Sequence, residues 1–300
     1  MLAALGGLII IGSETTVDQT RIGDIHIRRI VELEEPFLPV GEMFPDCSAE
    51  ALAPHRSWLE PWALCPDSDR LILPVQSYLL ETSRHTILID TCVGNYKSNR
   101  FFEPWHDRRD DAWLRRLSDS GVGPEDIDFV LCTHLHLDHC GWHTQLVDGR
   151  WLPTFPNARY LFAREEFDHR QALADSTFVE NVVPVMEAGQ GVLVAMDHAI
   201  DDEVWLVPTP GHTPGHVSIH LASKGNKAVM MGDVMHSPVQ CAEPDWHAVS
   251  DDDPALARAT RRRFLDRHAG TDTLILTAHF PSPSVGHVVA KGDAFWFDFV

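Results

Sequence analysis

Positive charge is what this chain has little of: 24 Lys and Arg stand against 44 Asp and Glu, a net charge of -20 over 300 residues. Such a surface repels phosphate backbones and anionic bilayers, so nucleic acid and membrane are excluded as partners. Six cysteines are present but no C-x-x-C pair. At 44% hydrophobic residues the chain can bury a large core without covalent staples. The cysteines therefore read as free thiols of a reducing, cytoplasmic compartment. No apolar run reaches the roughly 20 residues of a membrane span. The opening MLAALGGLIIIG is short and has no basic stretch before it, which argues against a secretory leader. Residues 1–20 read as a tail, either disordered or a packing arm, and residues 21–300 as one domain. Internal repeats and low-complexity segments are lacking too.

What is there is alternation. Residues 21–31 (RIGDIHIRRIV) alternate apolar and polar, as a half-buried strand does. Residues 71–81 and 86–90 predict a strand pair turning at Ser83–His85. Residues 35–70, rich in Pro and Trp and without periodicity, read as a long ordered loop over a pocket. Helices are expected at 110–119, 164–174 and 176–188. Another should start with Asp253 as cap and Pro254 in its first position, ending near His268. Further strands are expected at 128–132, 158–162, 192–196, 204–207, 216–221, 228–231 and 273–277. This is an α/β pattern of sheets covered by helices.

The stretch LCTHLHLDHCGW, residues 131–142, carries the chemistry. On an extended segment side chains two apart point the same way, so His134 and His136 can reach one point. Asp138 can follow, but His139 is its neighbour and would face away. The chain must therefore turn near Leu137, with Gly141 permitting tight geometry. The spacing differs from the helical H-E-x-x-H arrangement. A lone histidine is usually a packed or solvated group. Imidazoles and a carboxylate crowded at a strand end instead suit Zn²⁺ and its first-row neighbours.

His134-x-His136-x-Asp138-His139 resembles the signature of the metallo-β-lactamase superfamily. PTPGHTPGHVSIH (208–220) resembles its next motif and gives His212. VMMGDVMH (229–236) resembles the motif of the bridging carboxylate, Asp233. LILTAHFPSP (274–283) resembles the last and gives His279. TILIDTCVGN (86–95) resembles the early motif whose aspartate, Asp90, steadies a ligand imidazole; the family usually has Gly where Cys92 stands. The resemblance spans about residues 75–290. It implies an αβ/βα four-layer sandwich: two mixed β-sheets flanked by helices, with the metals at one sheet edge.

One open tetrahedral site takes three protein ligands, so seven are too many for it. The resemblance divides them into His134, His136 and His212 for a first ion and Asp138, His139 and His279 for a second, with Asp233 bridging. Two divalent ions are expected, Zn²⁺ foremost, with Mn²⁺, Fe²⁺ or Co²⁺ as alternatives. Asp138 could carry a proton to the leaving group. His216, four after His212, reads as a helper beneath the ligands or as a packed strand histidine. Cys92 and Cys140 read as packing. His143, His169, His198, His220, His247 and His287 have no motif support.

The implied activity is hydrolysis of an ester or lactone by a metal-bridging hydroxide, with phosphotriesterase activity as a side reaction. Acyl-homoserine lactonases typically carry a tyrosine three residues after the bridging aspartate, where this chain has His236. GDVMHSPVQ (232–240) is more similar to the branch of methyl-parathion hydrolase and dihydrocoumarin-type lactonases. There His236 would donate to a carbonyl or phosphoryl oxygen, the alternative being an ordinary pocket wall. Trp58, Trp62, Phe101, Phe102, Trp105 and Trp142 are candidates to line an apolar pocket for an aryl or acyl group. An acyl-homoserine lactonase, a glyoxalase II-like thioesterase and a non-hydrolytic di-iron redox protein are the alternatives. The thioesterase would need a basic pocket, whereas Arg261-Arg262-Arg263 reads as a solvated helix face. The redox reading lacks a flavodoxin-like partner domain. A homodimer is left open.

Overall fold

The computed structural model describes residues 18–300. Its first ten strands are β1 (Asp18–Ile22), β2 (Ile25–Pro39), β3 (Leu64–Cys65), β4 (Arg70–Glu81), β5 (Thr86–Ile89), β6 (Phe129–Leu131), β7 (Thr144–Val147), β8 (Arg150–Pro153), β9 (Arg159–Ala163) and β10 (Gly191–Val194). Six more follow: β11 (Val204–Pro208), β12 (Val217–Ser223), β13 (Asn226–Met230), β14 (Leu274–Leu276), β15 (Val285–Lys291) and β16 (Ala294–Phe299). One sheet runs β1-β2-β4-β5-β6-β9-β10, with β3 beside β4; the other runs β11 to β16 in chain order. β5, β6, β9 and β10 are parallel neighbours, as are β13 and β14; the other pairings are antiparallel. β7 and β8 form a separate hairpin.

Side-chain alternation along each strand separates the layers. Ile87 and Ile89 of β5, Leu131 of β6 and Leu161 of β9 face inward, against Val217, Ile219, Met230, Leu274 and Leu276 of the second sheet. Their alternates Leu88, Val130 and Tyr160 face outward, against Trp113, Leu117, Phe167 and Phe178 of the covering helices. On the other side Val229, Ile275 and Val288 pack under Phe264 and Leu265 of the helix Pro254–His268. Three cores between four layers make the expected sandwich. Each fully buried Leu or Ile contributes about 1.5–3 kcal/mol, so no single one decides the fold.

Several expectations need correcting. The segment 21–31 is not one strand: it breaks at Gly23, whose φ of +54 lets the chain reverse against Ser223. Residues 35–70 are not a loop. β2 runs on to Pro39, followed by the single-turn helices Val40–Met43, Ala49–Leu52 and Arg56–Leu59 and then β3. Irregularities at Val31/Leu33 and Pro36/Pro39 scramble the period of β2, which pairs with the distant β4. The helix expected over 176–188 is two, Ser176–Asn181 and Val183–Glu187. Pro184, lacking an N–H, fits the start of a helix better than its interior. Arg261 is fully buried rather than solvated; its neighbour Arg262 is exposed and pairs with Asp245 at 2.6 Å. The hairpins β7–β8 and β15–β16 were not foreseen. Of the expected tail, Asp18–Thr20 belong to β1, and residues 1–17 lie outside the described residues. Among the described residues no helix is long and apolar enough to cross a membrane, and all six cysteines are unpaired.

Candidate metal centre

The site residues all leave the C-terminal ends of strands. Asp90 follows β5; His134 to His139 follow β6; His212, Asp233 and His279 follow β11, β13 and β14. The turn required near Leu137 is the single helical turn Leu137–Cys140, entered from an extended His136 (φ -75, ψ 157). Gly141 is needed there for proximity rather than for unusual φ, since a Cβ would lie 1.8 Å from the Val93 carbonyl oxygen. Gly232 meets both demands: its φ is +58, and a Cβ would lie 2.5 Å from His216 Nε2. Cys92 adopts φ +50 where the family's glycine is usual, so a side chain is tolerated in this turn.

The geometry divides into two groups around one carboxylate. His134, His136, His212 and Asp233 offer ligand atoms within 4.8 Å of one another, and so do Asp138, His139 and His279. Asp233 faces both. Its Oδ2 lies 3.3 Å from His212 Nε2 and 3.7 Å from His134 Nε2; its Oδ1 lies 3.2 Å from both His139 Nε2 and His279 Nε2. Asp138 Oδ2 completes the second group, 3.7 Å from His139 Nε2 and 3.6 Å from His279 Nε2. The structure thus brings together all seven residues singled out in the sequence.

The outer ring nitrogens fix the tautomers. His139 donates Nδ1–H to Asp90 Oδ2 at 2.8 Å, His212 to Asp251 Oδ1 at 2.9 Å, and His279 to the Pro74 carbonyl at 2.8 Å. With the proton outside, each Nε2 presents a lone pair inward, as a metal ligand must. His139 Nε2 and His279 Nε2 lie 3.2 Å apart, and His136 Nδ1 and His212 Nε2 3.0 Å apart. Lone pairs facing each other at that range call for a cation between them. His134 Nε2 and Asp233 Oδ1 are buried without a hydrogen-bond partner. These orphaned atoms and the donor set fit divalent metal ions. Asp90 is itself held by the Thr133 N–H at 2.8 Å and the Thr133 hydroxyl at 2.9 Å. His216 Nε2 accepts the Asp233 N–H at 2.9 Å, so it positions the bridging residue.

Electrostatics point the same way. Burial, then the neighbouring His139, keep His134 well below its ordinary pKa; burial, then His212, do so for His136. Burial opposes charge on His139 as well, but Asp233, Asp138 and Asp90 outweigh it and raise that ring well above the ordinary value. Burial also works against the Asp233 carboxylate, yet the surrounding histidines hold it well below the usual range. His134 and His136 are thus kept neutral, with lone pairs free for a ligand bond, while the carboxylates around His139 favour a positive charge there, which a proton or a metal ion can supply.

A cavity of about 410 Å³ opens above the cluster. Asp138, His236, His279 and Asp233 lie on its floor, with Phe37, Met43, Leu73, Phe101, Trp105 and Val249 as apolar wall. His236 Nε2 is 3.1 Å from Asp233 Oδ2, and its ring stacks parallel to His279 at 5.7 Å. Of the six aromatic residues proposed for the wall, only Phe101 and Trp105 line the cavity. Trp58 and Trp62 pack on Trp296 and Phe299, Trp142 stacks on Trp113, and Phe102 supports Phe37. The sequence reading missed Asp251, for which no motif or spacing spoke. It also missed Glu166, a buried carboxylate accepting Leu135 N–H at 2.9 Å and the Thr213 hydroxyl at 2.6 Å. Glu166 thereby ties the loop of His134 to that of His212.

Residues 71–279 match the family model described as metallo-beta-lactamase superfamily. An N-acyl homoserine lactonase from a Bacillus species is 27% identical over 207 residues, covering 65% of this chain and 72% of that one. The human metallo-beta-lactamase domain-containing protein 1 is 30% identical over 192 residues, covering 63% and 58%. Among solved structures, the hydrolase AbOPH of the beta lactamase superfamily aligns with a TM-score of 0.78 at 24% identity, over 94% of this chain and 96% of that one. The dizinc quorum-quenching lactonase AidC aligns with a TM-score of 0.76 at 22% identity, over 94% and 97%. At those identities the likeness is one of fold.

Proposed function

The chain belongs to the metallo-beta-lactamase superfamily and is a metal-dependent hydrolase, and we propose that it opens an ester or lactone at a two-ion centre. The observation that carries this reading is Asp233, whose two oxygens face different ligand groups, at 3.2 and 3.3 Å. His134, His136 and His212 would hold one ion and Asp138, His139 and His279 the other, with Zn²⁺ the best match to the donors. Two such ions supply Lewis acidity, bringing the pKa of bound water to about 7 and polarising a substrate oxygen.

The protein's own groups do the rest. Asp138, partly exposed to the cavity, is placed to take a proton from the attacking water and pass it to the departing alkoxide. His236, on the cavity lining with Nε2 3.1 Å from Asp233 Oδ2, is placed to donate an N–H to the substrate's carbonyl oxygen. The apolar wall takes an acyl or aryl group and keeps water from it. Arg170, the one Lys or Arg on the lining among the described residues, is paired with Asp175. That is too little positive charge for a glutathione thioester with its carboxylates.

A second reading, an acyl-homoserine lactonase, is favoured by the names of the Bacillus relatives. His236, standing where that branch carries tyrosine, argues for the broader ester and lactone reading with phosphotriester turnover as a side reaction. The test is a panel of aryl esters, aliphatic lactones, homoserine lactones and phosphotriesters, assayed before chelation, after it, and after return of Zn²⁺ or Mn²⁺. Aryl ester or aliphatic lactone turnover that is lost and restored with metal supports the proposal. A preference for homoserine lactones selects the second reading, and turnover surviving full metal removal contradicts both.

A further inference from the structure

Arg261 sits midway along the helix Pro254–His268 with its side chain fully buried. Burying a guanidinium costs several kcal/mol unless partners compensate it. Arg261 Nε donates to the Val234 carbonyl at 2.9 Å; Nη1 donates to the Trp246 and Pro244 carbonyls at 2.7 and 3.0 Å. Its Nη2 makes no hydrogen bond and lies 3.6 Å from Asp251 Oδ2, an ion-pair distance. Asp251, buried too, accepts Ala248 N–H on that oxygen at 2.9 Å and His212 Nδ1–H on the other at 2.9 Å.

The chain of contacts therefore runs from an interior cation through a carboxylate to a ligand imidazole. Arg261 touches no reacting atom, so any effect it has on the centre passes through Asp251 and His212. The other half of the centre has a different support: His139 leans on Asp90, held by Thr133, with no interior cation in that contact. The two supports meet at one point: the Thr133 hydroxyl that holds Asp90 also lies 3.2 Å from His134 Nδ1.

We infer that Arg261 and Asp251 are a positioning pair that holds the His212 imidazole with Nε2 inward and through it sets the affinity of the His134/His136/His212 half-site. The inference rests on the two-ion reading above. Arg261 keeps Asp251 charged and aimed; Asp251 makes His212 a stronger base toward a cation. Asp90 plays the corresponding part beneath His139.

The experiment is zinc release to a competing chelator, with absorption spectra of the Co²⁺-loaded protein as a second readout. It compares the full chain with Asp251→Asn, Arg261→Gln, Arg261→Lys, Asp90→Asn and the double variant Asp90→Asn/Asp251→Asn. Asp251→Asn preserves shape and removes charge, so it decides the matter even where Arg261→Gln fails to fold. It should release one of two ions at about 10–100-fold lower chelator strength and leave the second unchanged. Asp90→Asn should weaken the other ion, so the double variant loses both. Arg261→Gln should behave like Asp251→Asn, and Arg261→Lys, which restores the charge, should recover part of the affinity. Wild-type retention of both ions in Asp251→Asn overturns the inference. So does equal weakening of both ions, or a double variant still holding one ion tightly. Lys and Gln variants that behave alike remove Arg261 from the pair. A wild-type chain that binds no ion fails the two-ion reading itself, whereas two ions with an inert Asp251→Asn fail only this inference.

Discussion

The floor of the cavity and its apolar wall are held in different ways. At and beneath the floor four residues have a partner behind them: Asp90 behind His139, Asp251 behind His212, the Pro74 carbonyl behind His279, His216 behind the Asp233 backbone. The wall is packed instead. Phe37 lies against Trp105 at 5.1 Å and Phe102 at 4.4 Å, and the loop of Asn99 and Phe101 is tethered through the buried Lys97. Polar support fixes direction to tenths of an ångström, which ion binding requires. Packing fixes volume and tolerates substitution, which suits a wall that chooses among acyl or aryl groups. Substitutions of the ligands and of the groups behind them should therefore change metal content and turnover, other floor substitutions turnover alone, and wall substitutions KM.

Asp233→Ala strikes the floor at its centre and should have the largest effect. Metal content should fall from two ions towards one or none, and kcat/KM by at least about 10³-fold, some 4 kcal/mol; two retained ions would reject its bridging place. His236→Phe comes next, with kcat reduced about 10²-fold at unchanged metal content, within the range of a lost proton-transfer or donor group. Unchanged kinetics would make His236 part of the wall. Trp105→Ala should raise KM for bulky aryl esters by about 10-fold or more, on the scale of 1–3 kcal/mol for a pocket contact, and spare the metals. Loss of an ion in that variant would erase the distinction between floor and wall.

The smallest effect tests the tether. Lys97 Nζ donates to the Thr144 carbonyl at 3.0 Å and hydroxyl at 2.7 Å and lies 3.6 Å from the Trp151 ring centroid. Burial nonetheless pushes its pKa down to about 7 from 10.5. Between those values the folded chain binds fewer protons than the unfolded one, so this group's contribution to stability rises with pH, and below about 7 the cost is present in full. Denaturant unfolding at several pH values should show a slope on the order of 1.4 kcal/mol per pH unit that Lys97→Met removes. Equal slopes in the two proteins would mean that Lys97 is not titrating in that window.

The same contrast explains what could be read in advance. The floor was legible because its ligands follow strands and keep fixed spacings, as in His134-x-His136-x-Asp138-His139. The layers were legible because a strand exposes its period of two in Thr86–Ile89 and Phe129–Leu131. Asp251 was not, because 39 residues separate it from His212 and a carboxylate beside a helix start reads as a cap. Arg261 was not, because a run of three arginines looks solvated until the carbonyls of Val234, Pro244 and Trp246 are seen to hold one of them inside. The wall stayed hidden for a related reason. Which of several tryptophans faces the cavity depends on how β2 and the β15–β16 hairpin pack, and a bulged strand and an unforeseen hairpin leave no period to follow.

The central claim is that one carboxylate stands between two cations. Crystals of the metal-loaded protein, measured for anomalous scattering at the zinc edge, test it most directly. Two peaks about 3.5–4 Å apart are predicted, one beside His134, His136 and His212 and the other beside Asp138, His139 and His279, with an oxygen of Asp233 on each. A single peak, or a second one away from Asp233, would contradict the account.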